Sequence, residues 1–168
     1  MAKKIMMVLP PRNFDGRAYQ TIRRALESRG HKVAVSSIVA GAVSPEDDGE
    51  SAPVDVRIHE IKTYEYDAFI FVGGEGARFY YDDDRVRQLV KDVKYKPLGA
   101  TGNAAVILAL AEALNGKRVT CPPEFADLVI RQGGVFTGQP FEVDEKIITL
   151  QDSAVAEHFA NAVAKALE

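Results

Sequence analysis

The stretch KPLGATGNAAVILAL, residues 96–110, decides how the rest of the chain is read. It is a short buried strand, a tight turn and then a helix that is apolar nearly all round. That is the build which pushes a catalytic nucleophile out at the top of an α/β sheet. At the turn stand Gly102 and Asn103, so the nucleophile's seat carries no side chain. A strained or left-handed turn suits glycine, and Asn103 is expected to cap the helix that follows.

Outward from this elbow, strands and helices alternate to both ends. KIMMVLP (4–10) and DAFIFVGG (67–74) are continuous apolar runs, as in parallel strands covered on both faces, and KVAVSSIV (32–39) reads as another strand. DGRAYQTIRRALESRG repeats Ala18, Ile22, Ala25 and Leu26 at helical spacing before Gly30. DDDRVRQLVKDVKYKP sets Val86, Leu89, Val90 and Val93 on one helical face, with aspartates at the positive end of the dipole and Pro97 as a stop. Between them, residues 40–53 read as a surface loop with a solvated acidic patch, and VDVRIHEI (54–61) as an edge or hairpin strand.

Beyond the elbow, GKRVTC (116–121) is expected as a short strand at the sheet's edge and PPEFADLVIRQGG as a helix. VFTGQPFEVDEKIITL (135–150) gives strands around a turn at Asp144 and Glu145. The last helix has Ser153 as N-cap and Val155, Phe159, Val163 and Leu167 as its buried stripe. The alternation predicts an α/β fold, a three-layer α/β/α sandwich with a mostly parallel sheet, formed by residues 1–168 as a single domain.

Composition narrows the function classes. A chain of 168 residues buries roughly 70% of its unfolded surface without staples. The net charge of −3 offers no footprint for nucleic acid. The single cysteine, Cys121, excludes an internal disulfide and a cysteine-based zinc site, which fits a reducing cytoplasm. The apolar run after MAKK is stopped by Pro10, Pro11 and Arg12, too soon for a secretory signal. AAVILALAEALNG contains Glu112 and is too short to span a bilayer, so no membrane partner is expected. The dispersed histidines His31, His59 and His158 do not resemble a metal site, and no cofactor is expected.

In a parallel sheet, ligands sit beyond the carboxyl ends of the strands. Four segments qualify: PRNFDG, GGEGAR, GATGN and CPPEF. None matches a dinucleotide fingerprint or a P-loop. The amides of residues 73–76 offer an oxyanion hole or anion nest.

VGGEGARFY after YDAFIF, then KPLGATGNAAVILALAEALNGKRVTCPP, then GGVFTGQPFEVDEKIIT, together resemble the DJ-1/PfpI (ThiJ) family. The similarity in order and spacing runs from VLPPRNFDG to the last helix. It implies a flavodoxin-like fold shared with the class I glutamine amidotransferases, and self-association into dimers or hexamers. In that family the elbow reads like AICHGP: a strained cysteine nucleophile, often followed by histidine, with an acidic residue after the first strand bonding the thiol. Position by position, the cysteine falls on Gly102, the histidine on Asn103, the acid on Asp15 and the family's glycine pair on Gly73 and Gly74. The family's proteases, glyoxalases and deglycases act through a thiolate, which glycine cannot supply.

Two classes of function follow. One is a non-catalytic protein, a pseudoenzyme that binds a small carbonyl or anionic ligand or forms oligomers, its crevice lined by Asp15, Gly73, Gly74, Glu75, Gly76, Gly102 and Asn103. The other is an enzyme with relocated chemistry: a cysteine hydrolase of the protease, amidase or deglycase kind using Cys121, or a lyase using Asp15 as base. Asp15 and Glu75 are expected to be close enough for one carboxylate to raise the other's pKa. Asp15 as helix cap, and Cys121 as a small buried hydrophobe, are the competing structural roles. Tyr64, Tyr66, Tyr80 and Tyr81 flank the glycine loop as candidates for an interface or pocket mouth.

Overall fold

The computed structural model describes residues 2–168. Seven strands form the central sheet. In spatial order, numbered along the chain, they are β10 (Phe141–Asp144), β11 (Ile147–Leu150), β7 (Leu98–Thr101), β6 (Ala68–Phe71), β1 (Lys4–Val8), β2 (Lys32–Ser37) and β5 (Val56–Arg57). All neighbours are parallel except β10 and β11. Two small ladders lie outside it: β3 (Ala42–Val43) with β4 (Ala52–Pro53), antiparallel, and β8 (Arg118–Val119) with β9 (Val135–Phe136), parallel.

The alternating pleat of β1 sends its side chains into two cores. Ile5 and Met7 join Ile70, Ile148 and the buried faces of α1 (Gly16–Ser28) and α5 (Ala156–Ala166). Met6 and Val8 join Phe69, Phe71 and the helices α2 (Asp84–Val93), α3 (Ala104–Leu110) and α4 (Ala126–Arg131). Each such side chain removed from water contributes about 1.5–3 kcal/mol, which makes helices on both faces the stable solution for a sheet apolar on both sides. The three-layer sandwich with a mostly parallel sheet is therefore the observed fold. Within α2, Val86, Leu89, Val90 and Val93 are all buried and Asp83 caps the N-terminus through the amides of Arg85 and Val86.

Register aligns the strand ends. Val8 pairs with Phe71, Phe71 with Ala100 and Thr101 with Leu150. The connections leaving β1, β6, β7 and β11 therefore emerge along one rim.

Three local expectations need correction. Residues 54–61 contribute only Val56–Arg57 to the sheet, parallel to β2 and not in a hairpin. The Asp55 carboxylate accepts from the Val35 amide, and the Arg57 amide turns to Glu60, so the ladder ends there. The segment 116–121 is not an edge strand of the main sheet but the short β8 beside β9. The last helix starts through a 3₁₀ turn (Ser153–Val155) capped by Asp152, whose carboxylate takes the Ala154 amide, and Ser153 is not the cap.

Tyr80 braces the rim from inside. At the end of the 3₁₀ segment Glu75–Tyr80, its hydroxyl donates to the Leu9 carbonyl (2.7 Å) and meets the Ser37 hydroxyl (2.9 Å) and the Ile38 amide (3.2 Å). Burial pushes its pKa up to about 12. Tyr80→Phe keeps the ring but leaves these buried groups without their partner. A loss of about 2–3 kcal/mol in urea unfolding is expected, with little change in the slope of the transition; an unchanged midpoint would contradict this bracing role.

Candidate functional site

The aligned strand ends enclose an open crevice of about 530 Å³. Asp15 enters it after β1, Gly74 and Glu75 after β6, Gly102 and Asn103 after β7, and Pro122, Glu124 and Phe125 after β8. All four segments singled out in the sequence thus meet at one place. Gln151, Asp152 and Ser153 after β11 also line it, as does Glu46. The first three follow the strand IITL directly, so the strand-end rule applies to them as well. Glu46 carries no local signal: residues 44–46 are brought over by backbone bonds to Phe14.

Gly102 sits at the elbow with φ +54°. Its amide donates to the Leu150 carbonyl at 2.7 Å, and no heavy atom lies within 4 Å of where a Cβ would stand. The elbow is therefore held in left-handed geometry below open space.

Asn103 precedes α3 but makes no side-chain cap bond to it. Its carboxamide instead grips Gly74 from both sides: Oδ1 accepts from the Gly74 amide and Nδ2 donates to the Gly74 carbonyl, each at 2.9 Å. The helix-capping expectation gives way to a clamp between elbow and glycine loop. Gly74 has φ +129°, and a Cβ there would collide with the carbonyl of Asn13.

The same bonding removes the anion nest. Gly73 donates to Thr101 Oγ1 (3.0 Å), Gly74 to Asn103, Glu75 to Glu46 Oε2 (2.8 Å) and Gly76 to the Asn13 carbonyl (3.2 Å). All four amides of residues 73–76 are thus engaged inside the protein. Gly73 and Gly76 accordingly serve packing: a Cβ on either would run into backbone oxygen, of Thr101 and of Arg12 respectively.

Asp15 and Glu75 are not a coupled pair. Asp15 caps α1, accepting from the Ala18 amide at 3.1 Å, and burial raises its pKa, with the charge of Asp47 adding to the rise. Glu75 is exposed, held by Arg78 (2.7 Å) and the Asn13 carboxamide (3.0 Å), and these bonds lower its pKa. Cys121 is fully buried in the apolar core that holds α3 and α4 and does not line the crevice. Burial, reinforced by Glu124, pushes its thiol up to about 11, so it is protonated at neutral pH.

The crevice is strongly one-signed. Asp15, Glu46, Glu75, Glu124 and Asp152 line it, with no lysine, arginine or histidine. With the glycine-loop amides engaged and its wall acidic, it opposes the anionic ligand expected from sequence and suits a cationic or neutral polar one. Among the described residues, no group of three or more His, Cys, Asp or Glu could hold a metal ion. No helix among them is long and apolar enough to cross a membrane.

The tyrosines divide. Tyr80 is core, while Tyr64 and Tyr66 precede β6 at the far end of the sheet. Only Tyr81 approaches the site. Its hydroxyl is buried beside the Asn103 carboxamide without a partner at hydrogen-bonding geometry.

Asn103→Ala removes both grips on Gly74 and leaves a part-buried amide and carbonyl unpaired. It is expected to cost about 1–3 kcal/mol and to speed hydrogen exchange at the Gly74 amide selectively over that of Val72. Equal exchange at the two sites before and after substitution would show that the clamp is not holding the loop.

Comparison with known proteins agrees with this architecture. The DJ-1/PfpI family pattern matches residues 3–166. The crystal structure of a ThiJ/PfpI domain protein from Brachyspira murdochii superposes with a TM-score of 0.94 at 29% identity, covering 99% of this chain and 96% of that one. An uncharacterized protein of Methanocaldococcus jannaschii, MJ0967, is 29% identical over 98% of this chain and 82% of its own length. Protein/nucleic acid deglycase 2 of Escherichia coli is 25% identical over 86% of each. With the family pattern spanning residues 3–166 and the fold superposing over 99% of its length, the chain belongs to the DJ-1/PfpI family.

Proposed function

We propose that this chain is a DJ-1/PfpI protein that works without the family's elbow thiol, holding a small neutral polar ligand, such as a carbonyl compound, over Gly102 without turning it over. The observation that carries this reading is the elbow: left-handed geometry is kept, the space above it is open, and the residue there is glycine. Cys121 does not replace the nucleophile, since it is buried with its thiol protonated. A homo-oligomer, dimer or hexamer, goes with this reading through the family resemblance. A cytoplasmic setting fits the lone reduced cysteine.

A second reading is favoured by one observation: Asp15 borders the crevice and burial raises its pKa. A carboxylate tuned upward is suited to proton transfer, as a lyase base requires. Against it, one oxygen is engaged in capping α1. The activity in the name of the Escherichia coli deglycase would extend to this chain only with a relocated nucleophile.

The test is turnover of methylglyoxal and of fluorogenic amide and ester substrates by the native protein, Cys121→Ala and Asp15→Asn, alongside thermal shift with neutral carbonyl compounds. No turnover, with a rise in melting temperature for at least one compound, is expected. Turnover lost in Cys121→Ala would overturn the reading, and turnover lost in Asp15→Asn would establish the second.

Cys121 itself makes a separate prediction. Its folded pKa of about 11 lies above its ordinary value of 9.0, so the folded state holds the proton more tightly. Its contribution is complete below pH 9 and is lost as pH rises toward 11, because the unfolded chain ionises first. The loss is on the order of 2–3 kcal/mol. Cys121→Ser should flatten the native protein's decline over that interval, and superimposable pH profiles would refute the assignment.

A further inference from the structure

The segment bridging β3 and β4 reaches across the rim, and its attachments have an unusual composition. At its base, Val43 and Ala52 are buried in the core that includes Phe14. Beyond them, residues 44–51 lie over the β1–α1 connection. The Phe14 amide donates to the Ser44 carbonyl and the Glu46 amide to the Phe14 carbonyl. Two carboxylates latch the tip: Glu46 Oε2 takes the Glu75 amide at 2.8 Å, and Asp47 Oδ2 takes the Arg17 amide at 3.0 Å. The packing is close enough that a Cβ on Gly16 would clash with Asp47 and press on Pro45.

Every charge on this tip is negative: Glu46, Asp47, Asp48 and Glu50. Among the described residues none of the four is in a salt bridge. The wall it borders carries Asp15, Glu75, Glu124 and Asp152. The latches are therefore hydrogen bonds to backbone amides working against like-charge repulsion. We propose that residues 44–51 form an electrostatically loaded strap across the β1–α1 connection at the edge of the crevice, pinned at its base by Val43 and Ala52 and released at its tip when the carboxylates are not screened or compensated. Asp48 and Glu50 make no side-chain hydrogen bond, so they load the strap without latching it. The strap's existence is independent of any ligand; its role in admitting one rests on the crevice being the ligand seat proposed above.

Amide hydrogen exchange at constant pH tests the strap without a ligand, so its failure is separate from that of the binding reading. Raising salt from about 10 mM to about 1 M shortens the screening length from about 30 Å to about 3 Å. Protection of the Arg17 and Glu75 amides is expected to rise several-fold over this range, while that of Met7 and Ile70 in the central strands stays level. In the double variant Asp48→Asn with Glu50→Gln, protection at low salt should already be high and the salt response largely gone. Glu46→Ala should expose the Glu75 amide alone. Protection in the native protein that ignores salt, a salt response unchanged in the double variant, or a Glu75 amide unaffected by Glu46→Ala would each overturn the proposal.

Discussion

The carboxamide of Asn103 closes on both polar groups of one peptide, and the geometry of the crevice depends on that closure. By holding the Gly74 amide and carbonyl together, it ties the turn after β7 to the loop after β6. Gly74 in turn lies against the β1–α1 connection, where the Asp15 amide donates to the Gly73 carbonyl at 2.8 Å. Three strand ends are thus fixed to one another through the backbone of two glycines. A charged or hydrophobic residue at position 103 could not make both bonds, because the carboxamide alone among side chains of this length offers an acceptor and a donor side by side.

That closure shapes the chemistry available. The amides of residues 73–76, expected from sequence as oxyanion donors, are turned to Thr101, Asn103, Glu46 and Asn13. The glycine loop therefore supplies no free donor to an acyl-transfer transition state. The absent side chain at Gly102 and the occupied glycine-loop amides are two separate features of the same crevice. The crevice that remains is walled by carboxylates and bordered by a strap of the same sign.

Much of the fold was legible because its signals are local. Continuous apolar runs such as KIMMV and AFIF can be satisfied only by layers on both sides, and the spacing of Val86, Leu89, Val90 and Val93 allows one buried helical face. The strand-end rule located the crevice and most of its walls. What escaped the sequence was decided by tertiary partners. Asn103 looked like a cap because it precedes a helix, yet its bonds cross to a residue 29 positions away. Residues 54–61 alternate like a strand, but Asp55 and Glu60 take the backbone amides that would have extended it. Glu46 sits in a stretch whose composition says only that it is solvated.

The two margins of the sheet have a further consequence. At one side β5 is only two residues long and turns at once into a 3₁₀ segment. At the other, β10 is flanked by β8, whose Arg118 donates its backbone amide to Asp144 and its guanidinium to the Val143 carbonyl. Each border is interrupted: β5 pairs with only Ser36 and Ser37 of β2, and Arg118 occupies a β10 carbonyl that an added strand would need. A strand arriving at either margin would meet a short or obstructed ladder, which disfavours growth into continuous sheets.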